Sequence, residues 1–280
     1  MSKSFAVLGS PISHSKSPQI HSAAYRVLNE DWTYDRVEVP RGGLKRFVEG
    51  QGNNFSGFSV TMPLKENAKS FANVLDELSI QTGAVNTLNK VGDQWFGYNT
   101  DVFGIIQAIR EKTLAVFSRV VLIGSGATAR STMVAITRLS PEAEVIVVAR
   151  NTNAAKELVA FGVQCGLKAR RGRFLVWNLV RANLVVSTLP GGALDGVAQK
   201  LVARESFKPK GLLLDVAYDP WPSKIAGLWS SRGATVTSGK EMLIWQAIAQ
   251  IRIFKNGNPD IALVNEIAVL EAMRIAVDES

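Results

Sequence analysis

The segment from Arg119 to Leu139 constrains the fold of this chain more than any other. Residues 119–123 predict a buried strand, the pattern Gly-x-Gly-x-x-Ala follows at 124–129, and a helical pattern continues to Leu139. Strand, glycine turn and helix in that order begin a parallel β-α-β unit. Further strands are predicted at 145–149, 184–187, 212–215 and 235–236. We therefore expect a doubly wound α/β domain that binds ligands at the carboxyl edge of its parallel sheet.

Strands and helices also alternate in the first hundred residues. Ser17 and Pro18 suit the cap and first position of a helix, and Asp101 is expected to cap another that ends near Arg110. Residues 85–91 and 95–98 predict a hairpin around Gly92-Asp93. The other predicted elements are strands at 5–8, 33–39 and 58–60 and helices at 44–48 and 64–71.

Two helical patterns follow the predicted sheet, at 242–254 and 261–275, with Gly257-Asn258-Pro259 as the break between them. We expect these helices to pack back on the N-terminal region. A length of 280 residues suggests about two domains. The predicted division is an N-terminal α/β domain of residues 1–101 plus 241–280 and a Rossmann-type domain of residues 102–240.

Composition narrows the class of protein. Hydrophobic residues make up 46% of the chain and charged residues 20%, as in soluble globular proteins. The longest apolar runs are far shorter than the roughly 20 residues of a membrane-spanning helix, and the N-terminus lacks the apolar core of a signal peptide. The single cysteine, Cys165, excludes an internal disulfide, so we expect a reducing, cytoplasmic location. His14 and His21 are too few for a histidine-rich metal site, and no metal is expected.

The net charge of +8 is concentrated in the middle of the chain. Residues 101–240 carry 19 Lys and Arg against 9 Asp and Glu. Such a basic region suits a small polyanion such as a phosphorylated dinucleotide, with nucleic acid as the alternative ligand. Arg170, Arg171 and Arg173 form its one tight basic cluster, and no aromatic residue interleaves them. The simplest interpretation of that cluster is a solvated loop.

The glycine pattern at 124–129 would let a pyrophosphate approach backbone amides at a helix N-terminus. An NAD site usually has an acidic residue about 20 positions later, where it holds the ribose hydroxyls. This chain has Ala149-Arg150-Asn151-Thr152 there. The arginine can clamp a 2′-phosphate, with Asn151 and Thr152 as further donors, so NADP is favoured over NAD.

Two polar clusters outside this region suggest an acid/base site. Lys65 and Asp101 each follow an apolar strand-like stretch, and a lysine beside a carboxylate can exchange a proton with a substrate hydroxyl. The alternative is a surface lysine and a simple helix cap. The segment Gly9–Pro18 contains four serines. Either these only cap and turn the chain, or Ser15 and Ser17 hold a carboxylate beside the positive end of the following helix.

Eight motifs, in order along nearly the whole chain, resemble the shikimate dehydrogenase family. They are Gly9 to His21, Gly57 to Lys65, Gly83 to Thr87, Asn99 to Asp101, the glycine loop at 124, Ser187 to Pro190, Asp215 to Pro220 and Gly239 to Gln246. The resemblance implies NADPH-dependent, reversible reduction of 3-dehydroshikimate to shikimate in chorismate and aromatic amino-acid biosynthesis. It also implies that the first domain binds the substrate and the second binds NADP(H).

The family pattern assigns roles by position. Lys65 and Asp101 would act at the reacting oxygen, and Ser15 and Ser17 would bind the substrate carboxylate, with Tyr218 near it. The implied substrate-binding set is Ser15, Ser17, Ser59, Thr61, Asn86, Thr100, Tyr218 and Gln246. The implied cofactor-binding set is Gly124, Ser125, Gly126, Ala127, Thr128, Ala129, Arg150, Asn151, Thr152, Thr188, Leu189, Pro190, Val216, Gly239 and Met242.

The chain departs from the family pattern at a few positions. Ser59 stands where the family commonly has asparagine, so one substrate hydroxyl is expected to be bound more loosely or through water. Ala149 also replaces a common asparagine. Neither change removes a catalytic group.

Three alternatives stay open at this stage. One is a quinate/shikimate dehydrogenase that uses NAD, which Arg150 disfavours, and another is a folate-linked dehydrogenase of similar two-domain design. The third is a basic binding protein that has kept the fold without the activity. We expect a small-molecule substrate, no nucleic-acid or membrane partner, and a monomer or homodimer.

Overall fold

A computed structural model describes residues 2–172 and 175–278 of the chain. The chain divides into two compact units, which we call the first and second unit. The first unit comprises Met1–Gly104 and Leu243–Ser280, and the second comprises Ile105–Met242. A six-stranded sheet is described in each unit.

The sheet of the first unit is mixed. Its strands are β1 (Lys3–Gly9), β2 (Trp32–Glu38), β3 (Gly57–Val60), β4 (Val74–Leu75), β5 (Thr87–Val91) and β6 (Gln94–Tyr98), in the order β2-β1-β3-β5-β6-β4. Strands β1, β2 and β3 are parallel, whereas β5 is antiparallel to both β3 and β6. The carboxyl ends of β1, β3 and β6 therefore share one edge with the amino end of β5.

Helices connect and flank these strands. They are α1 (Ser17–Val27), α2 (Leu44–Glu49), α3 (Lys65–Phe71), α4 (Glu77–Thr82) and α5 (Asp101–Arg110), with a short 3₁₀ turn at Gln51–Asn54. The predicted hairpin is β5 and β6, and its turn is Gly92-Asp93, where Gly92 adopts a positive φ of 59°. Glycine suits this turn because it reaches positive φ without steric cost.

The second unit has the predicted doubly wound fold. Its strands are β7 (Arg119–Ile123), β8 (Glu144–Val148), β9 (Lys168–Arg171), β10 (Leu184–Ser187), β11 (Leu212–Asp215) and β12 (Val236–Ser238), all parallel in the order β12-β11-β10-β7-β8-β9. Its helices are α6 (Ala127–Leu139), α7 (Thr152–Gln164), α8 (Leu175–Arg181), α9 (Asp195–Val202) and α10 (Lys224–Ser231). Strand order reverses between β7 and β10, which is where this fold binds ligands.

Two long helices follow. Helix α11 (Gly239–Asn256) and helix α12 (Glu266–Asp278) are separated by the predicted break at 257–259. Helix α12 packs against α1, and buried residues of α11, α12, α1 and β1 form one apolar cluster, including Phe5, Ile20, Ile248, Ile251 and Met273. The prediction that these helices pack back on the first unit is confirmed.

Some local predictions were wrong. Ser17 is the first residue of α1 rather than its cap, and the cap residue Lys16 makes no capping hydrogen bond with its side chain. Asp101 is likewise the first residue of α5, and the side chain that accepts from its first amides is that of Asn99. In both cases the hydroxyl or carboxylate remains available for other partners.

The basic cluster is a strand rather than a loop where it is described. Arg170 and Arg171 lie in β9 at the edge of the sheet, and Arg170 forms an ion pair with Glu144. Arg173 lies outside the described residues. The polar segment 168–171 lacks the apolar pattern of a buried strand because charged side chains suit an exposed sheet edge.

Candidate active site

The topology of the first sheet brings the N-terminal motifs to one edge. The serine segment follows β1, Thr61 and Lys65 follow β3, and Asp101 follows β6. Asn86 precedes β5, which runs antiparallel to its neighbours, and its carbonyl accepts from the amide of Val60 at 2.7 Å. Residues that are distant in sequence thus meet at the edge where three strands end and one begins.

Lys65 and Asp101 form an ion pair at this edge. Lys65 Nζ lies 2.5 Å from Asp101 Oδ2, and only 13% and 5% of the two side chains are exposed. Lys65 begins α3 and Asp101 begins α5, so both groups stand on the first turn of a helix. The pair is largely shielded from water but keeps a small exposed fraction, which suits a group that must exchange a proton with a ligand.

Because Asn99 caps α5, the carboxylate of Asp101 is available to pair with Lys65. Asn99 Oδ1 accepts from the amides of Asp101 and Val102 at 3.1 and 3.4 Å, so it satisfies the first amides of α5. Its Nδ2 donates to Thr82 Oγ1 and to the carbonyl of Ala84 at 2.9 and 3.0 Å. Asn99 therefore ties the start of α5 to the Gly83–Thr87 motif.

Asn86 joins the second oxygen of Asp101 to the rest of the site. Its Nδ2 lies 2.8 Å from Asp101 Oδ1, 2.9 Å from Thr100 Oγ1 and 3.4 Å from Gln246 Oε1. Its Oδ1 accepts from the amide of Thr100 at 2.9 Å. Four predicted residues, namely Asn86, Thr100, Asp101 and Gln246, thus form one buried polar cluster beside Lys65.

Ser15 and Ser17 lie at the start of α1 and are both buried. The amide of Ser17 donates to Ser15 Oγ at 3.3 Å. Thr61 is partly exposed, and its backbone bonds to Leu8 and Leu64 fix the turn between β3 and α3. Hydroxyls at a helix N-terminus form a setting that favours an anion.

Ser59 points into the interior. The hydroxyl of Tyr34 donates to Ser59 Oγ at 2.5 Å, and Ser59 donates to Gln250 Oε1 at 2.7 Å. Gln250 Nε2 donates in turn to the carbonyl of Asn86 at 3.3 Å. We call Tyr34, Ser59 and Gln250 the buried polar chain. Burial raises the pKa of Tyr34, against the opposing effect of hydrogen bonds with Ser59 and Ser17, so its hydroxyl stays a neutral donor.

Sequence reasoning missed Asn99, Tyr34 and Gln250 as supporting residues. One signal was present: Gln246 and Gln250 are four positions apart in a helix pattern, and such residues share a face. Two glutamines on a helix face that is otherwise apolar indicate a buried polar site. Tyr34 gave no comparable signal, because tyrosine is common in strands.

The glycine loop of the second unit has the conformation that its pattern predicts. Gly124 adopts a φ of +118°, and a side chain there would collide with the hydroxyl of Thr188. A side chain on Gly126 would extend into open space, and no side chain caps the N-terminus of α6. The space beside Gly126 at the start of α6 is thus open to a pyrophosphate. Ala129 is fully buried in the first turn of α6, where a small side chain permits close packing of the helix.

Arg150 and Asn151 follow β8 at the same edge. Arg150 is exposed, and Asn151 Oδ1 caps α7 by accepting from the amides of Asn153 and Ala154 at 3.0 and 3.1 Å. Thr152 is the first residue of α7. An exposed guanidinium beside a helix N-terminus fits a phosphate monoester, so the donor set suits the 2′-phosphate of NADP.

The remaining predicted cofactor residues follow the neighbouring strands. Thr188, Leu189 and Pro190 follow β10, Val216 follows β11, and Gly239 follows β12. Gly239 packs directly against the backbone of Val216, so this position tolerates no side chain. Ser125, Ala127 and Thr128 lie in the glycine loop and the first turn of α6, and Met242 is buried in α11. Tyr218 also belongs to the second unit, unlike the other predicted substrate residues.

The described residues contain no group of three or more His, Cys, Asp or Glu side chains arranged to hold a metal ion. No helix in the described ranges has the length and apolar character needed to cross a membrane.

Known proteins are similar to this chain in sequence. Residues 7–88 match the family model of the shikimate dehydrogenase substrate binding domain. A shikimate dehydrogenase (NADP(+)) from Methanococcoides burtonii is 32% identical over 278 residues, which are 98% of this chain and 100% of the relative.

Solved structures agree with the sequence matches. Shikimate dehydrogenase from Mycobacterium tuberculosis is 37% identical with a TM-score of 0.83, and the match covers 99% of this chain and 100% of that one. Shikimate 5-dehydrogenase from Thermus thermophilus, solved in complex with NADP(H) and shikimate, is 27% identical with a TM-score of 0.81 over 98% and 99% of the two chains. Similarity at this level over nearly the full length of both chains shows that this protein belongs to the shikimate dehydrogenase family.

Proposed function

We propose that this protein catalyses the NADPH-dependent, reversible reduction of 3-dehydroshikimate to shikimate in chorismate and aromatic amino-acid biosynthesis. The observation that carries the proposal is the shielded Lys65–Asp101 pair, which adjoins a cluster of amides and hydroxyls at one sheet edge. The names of the relatives, shikimate dehydrogenase (NADP(+)), support the same reaction. The first unit would bind the substrate and the second unit NADP(H).

Lys65 and Asp101 would divide the proton chemistry between them. In the reducing direction the ketone carbon gains a hydride, which NADPH supplies when bound. The ammonium of Lys65 gives a proton to the carbonyl oxygen and stabilises the negative charge that develops there. Asp101 holds the ammonium through Oδ2, while Asn86 fixes its other oxygen. In the oxidising direction, the neutral amine accepts the hydroxyl proton.

The other first-unit residues would orient the substrate. Ser15 and Ser17 would donate to its carboxylate at the start of α1, with Tyr218 of the second unit near it. Thr61, Asn86, Thr100 and Gln246 would bond the ring hydroxyls. The Ser59 hydroxyl is hydrogen bonded to Tyr34 and Gln250, and Gln250 in turn bonds the carbonyl of Asn86. We therefore propose that Ser59 supports the position of Asn86 and does not contact the substrate directly.

In the second unit the glycine loop and α6 would hold the pyrophosphate, and Arg150 with Asn151 and Thr152 would hold the 2′-phosphate. Thr188, Leu189, Pro190, Val216, Gly239 and Met242 would line the nicotinamide end. Support comes from the open space at Gly126 and the exposed Arg150. This donor set disfavours NAD, because it provides a cation where NAD sites have a carboxylate.

Initial rates with shikimate and quinate, each with NADP and NAD, test the proposal. Shikimate with NADP should give the highest kcat/KM of the four pairs. Faster turnover of quinate with NAD would favour the quinate/shikimate alternative, and activity confined to folates would favour the folate-linked one. Salt-sensitive DNA binding without NADPH oxidation would instead indicate a basic binding protein.

We further propose a cytoplasmic location and a monomeric or homodimeric state, without nucleic-acid or membrane partners. The single cysteine supports a reducing compartment. Fractionation of the native host and light scattering of the purified protein would test both points.

A further inference from the structure

A polar cavity of about 560 Å³ lies in the first unit, away from Lys65 and Asp101. It is lined by the start of β1, the segment before β3, the end of β5 and the C-terminal end of α11. The active-site residues adjoin the other ends of β1 and β5. The seven residues of β1 span about 20 Å, so the cavity is separate from the site described above. We call it the lysine cavity after Lys3, Lys90 and Lys255.

The lysine cavity is positively charged. Its lining includes these three lysines and no aspartate or glutamate. Lys255 pairs with Glu30, which lies outside the lining. Lys3 Nζ donates to the carbonyl of Phe254 at 3.5 Å, and Lys90 Nζ donates to Asn53 Oδ1 at 2.9 Å. Within residues 2–172 and 175–278, neither Lys3 nor Lys90 is paired with a carboxylate, so both charges attract anions.

Asn89 gives an independent indication of a ligand. Asn89 is only 7% exposed and lines the cavity, and its side chain forms no hydrogen bond with the described residues, although its polar atoms remain in contact with solvent. The amide of Asn89 can therefore donate to a ligand that enters the cavity. Asn89 also occupies the middle of β5, where asparagine is disfavoured relative to valine or threonine. An amide at this position thus suits a polar ligand in the cavity better than it suits the strand.

We propose that the lysine cavity binds a small phosphate monoester. The NH₂ group of Asn89 and the ammonium groups of Lys3 and Lys90 supply donors for phosphate oxygens. Phe55, Val91 and Phe254 also line the cavity and offer apolar surface to a short organic group. Free phosphate shares the charged chemistry but would leave this apolar surface unused, which is why we favour the ester.

The proposal can be tested by NMR on the ¹⁵N-labelled full chain, with NADP and shikimate at saturation to occupy the active site. Inorganic phosphate and glycerol 3-phosphate are titrated separately at constant ionic strength. We expect a saturable shift of the Asn89 side-chain NH₂ signals, which are identified by their absence in Asn89→Asp. Glycerol 3-phosphate should bind more tightly than phosphate.

Variants separate specific binding from general charge. Asn89→Asp keeps the shape but places a carboxylate among the lysines, so binding should be lost when followed by calorimetry. Lys3→Gln and Lys90→Gln should each weaken binding by about tenfold, as expected for one charge-assisted hydrogen bond, and they carry the test if Asn89→Asp fails to fold. Lys45→Gln removes an exposed lysine of α2 outside the cavity and should leave the affinity unchanged.

Three outcomes would overturn the proposal. These are the absence of a saturable shift, equal binding by the wild type and both lysine variants, or an equal loss in Lys45→Gln. Equal affinities for phosphate and glycerol 3-phosphate would contradict the preference for a phosphate monoester and would indicate free phosphate as the ligand.

Discussion

Lys65 is the residue whose removal should affect the chemical step most directly. Lys65→Ala removes the group proposed to give its proton to the substrate oxygen, whereas the serines and amides that would bind the substrate remain. We expect kcat to fall by about 10²–10⁴-fold, the usual contribution of a general acid, with little change in shikimate binding. Steady-state kinetics and a direct shikimate titration would measure the two effects separately.

The matched control for this prediction is Lys69→Ala, one turn further along α3. Lys69 has the same charge on the same helix but does not contact Asp101. Its removal should leave kcat unchanged. A loss in Lys65→Ala that lies entirely in shikimate affinity would contradict an acid/base role.

His21 should make the stability of the protein depend on pH. The ring stacks on Tyr34 with centroids 3.9 Å apart, and its Nε2 has no hydrogen-bond partner among the described residues. Burial lowers the pKa of His21 to about 3, although the nearby Gln250 side chain acts in the opposite direction. The unfolded chain takes up this proton below about pH 6.5, but the folded chain does not until about pH 3.

The stability that His21 confers is therefore complete above pH 6.5 and declines as the pH falls. From pH 6 to pH 5 the free energy of unfolding should drop by about 1.2 kcal/mol more in the wild type than in His21→Phe, which keeps the stack without the titrating group. Urea unfolding of both proteins at each pH would measure this difference. Parallel pH profiles would show that His21 takes up no proton on unfolding.

The residues predicted from motifs and those found only in the structure differ in kind. Arg150, Lys65 and Asp101 were predictable because each follows a strand, where a side chain reaches the ligand edge of a sheet. Ser59 was expected to face the substrate, but it hydrogen bonds with Gln250, 191 positions away. A one-dimensional pattern does not encode such a contact, since the packing of α11 on the sheet decides it.

At the scale of the element, the start of α5 links stability to the active site. Asn99→Ala removes the acceptor for the first amides of α5 and one of the two side-chain donors to the carbonyl of Ala84, the other being the hydroxyl of Thr82. We expect the free energy of unfolding to fall by about 1–2 kcal/mol and kcat to fall as well, because Asp101 loses its fixed position. Urea unfolding and kinetics on the same samples would test both effects.

Ser140→Ala provides the control for Asn99. Ser140 Oγ accepts from the amide of Phe117 at 2.7 Å in the second unit, so its loss should cost a similar free energy without moving Asp101. If both variants lose stability but neither loses turnover, Asn99 does not position the catalytic pair.

Elements differ in how well the sequence predicts them. The buried strands β7, β8, β10 and β11 were predictable because their apolar runs are bounded by glycine or polar residues. Strands β4 and β9 were not, since β4 has two residues and β9 is polar. Helix α4 was also missed, although Asp76 caps it and Gly83 ends it with a φ of 75°. Its six residues are too few to show a clear helical period.

At the scale of the whole molecule, the two units have separate hydrophobic cores. One core of the first unit contains Phe5, Ile20 and Ile251, and the core of the second contains Val121, Leu213 and Trp229. A ligand stabilises whatever part of the chain it binds, by mass action. We propose that the first unit binds the substrate and the second binds the cofactor. The two ligands should therefore slow amide hydrogen exchange in different units.

NADP should slow exchange most at 124–130 and 150–154, because these backbone amides adjoin the proposed pyrophosphate and 2′-phosphate sites. Shikimate alone should slow exchange at 57–65 and 86–102, around Lys65, Asn86 and Asp101. Arg150→Ala should remove most of the protection by NADP and leave that by shikimate unchanged, since the guanidinium supplies a charge-assisted bond that no other described side chain at 149–152 can replace. Exchange followed by mass spectrometry would distinguish these patterns. Protection of 150–154 by shikimate alone, or undiminished protection by NADP in Arg150→Ala, would refute this assignment of the two sites.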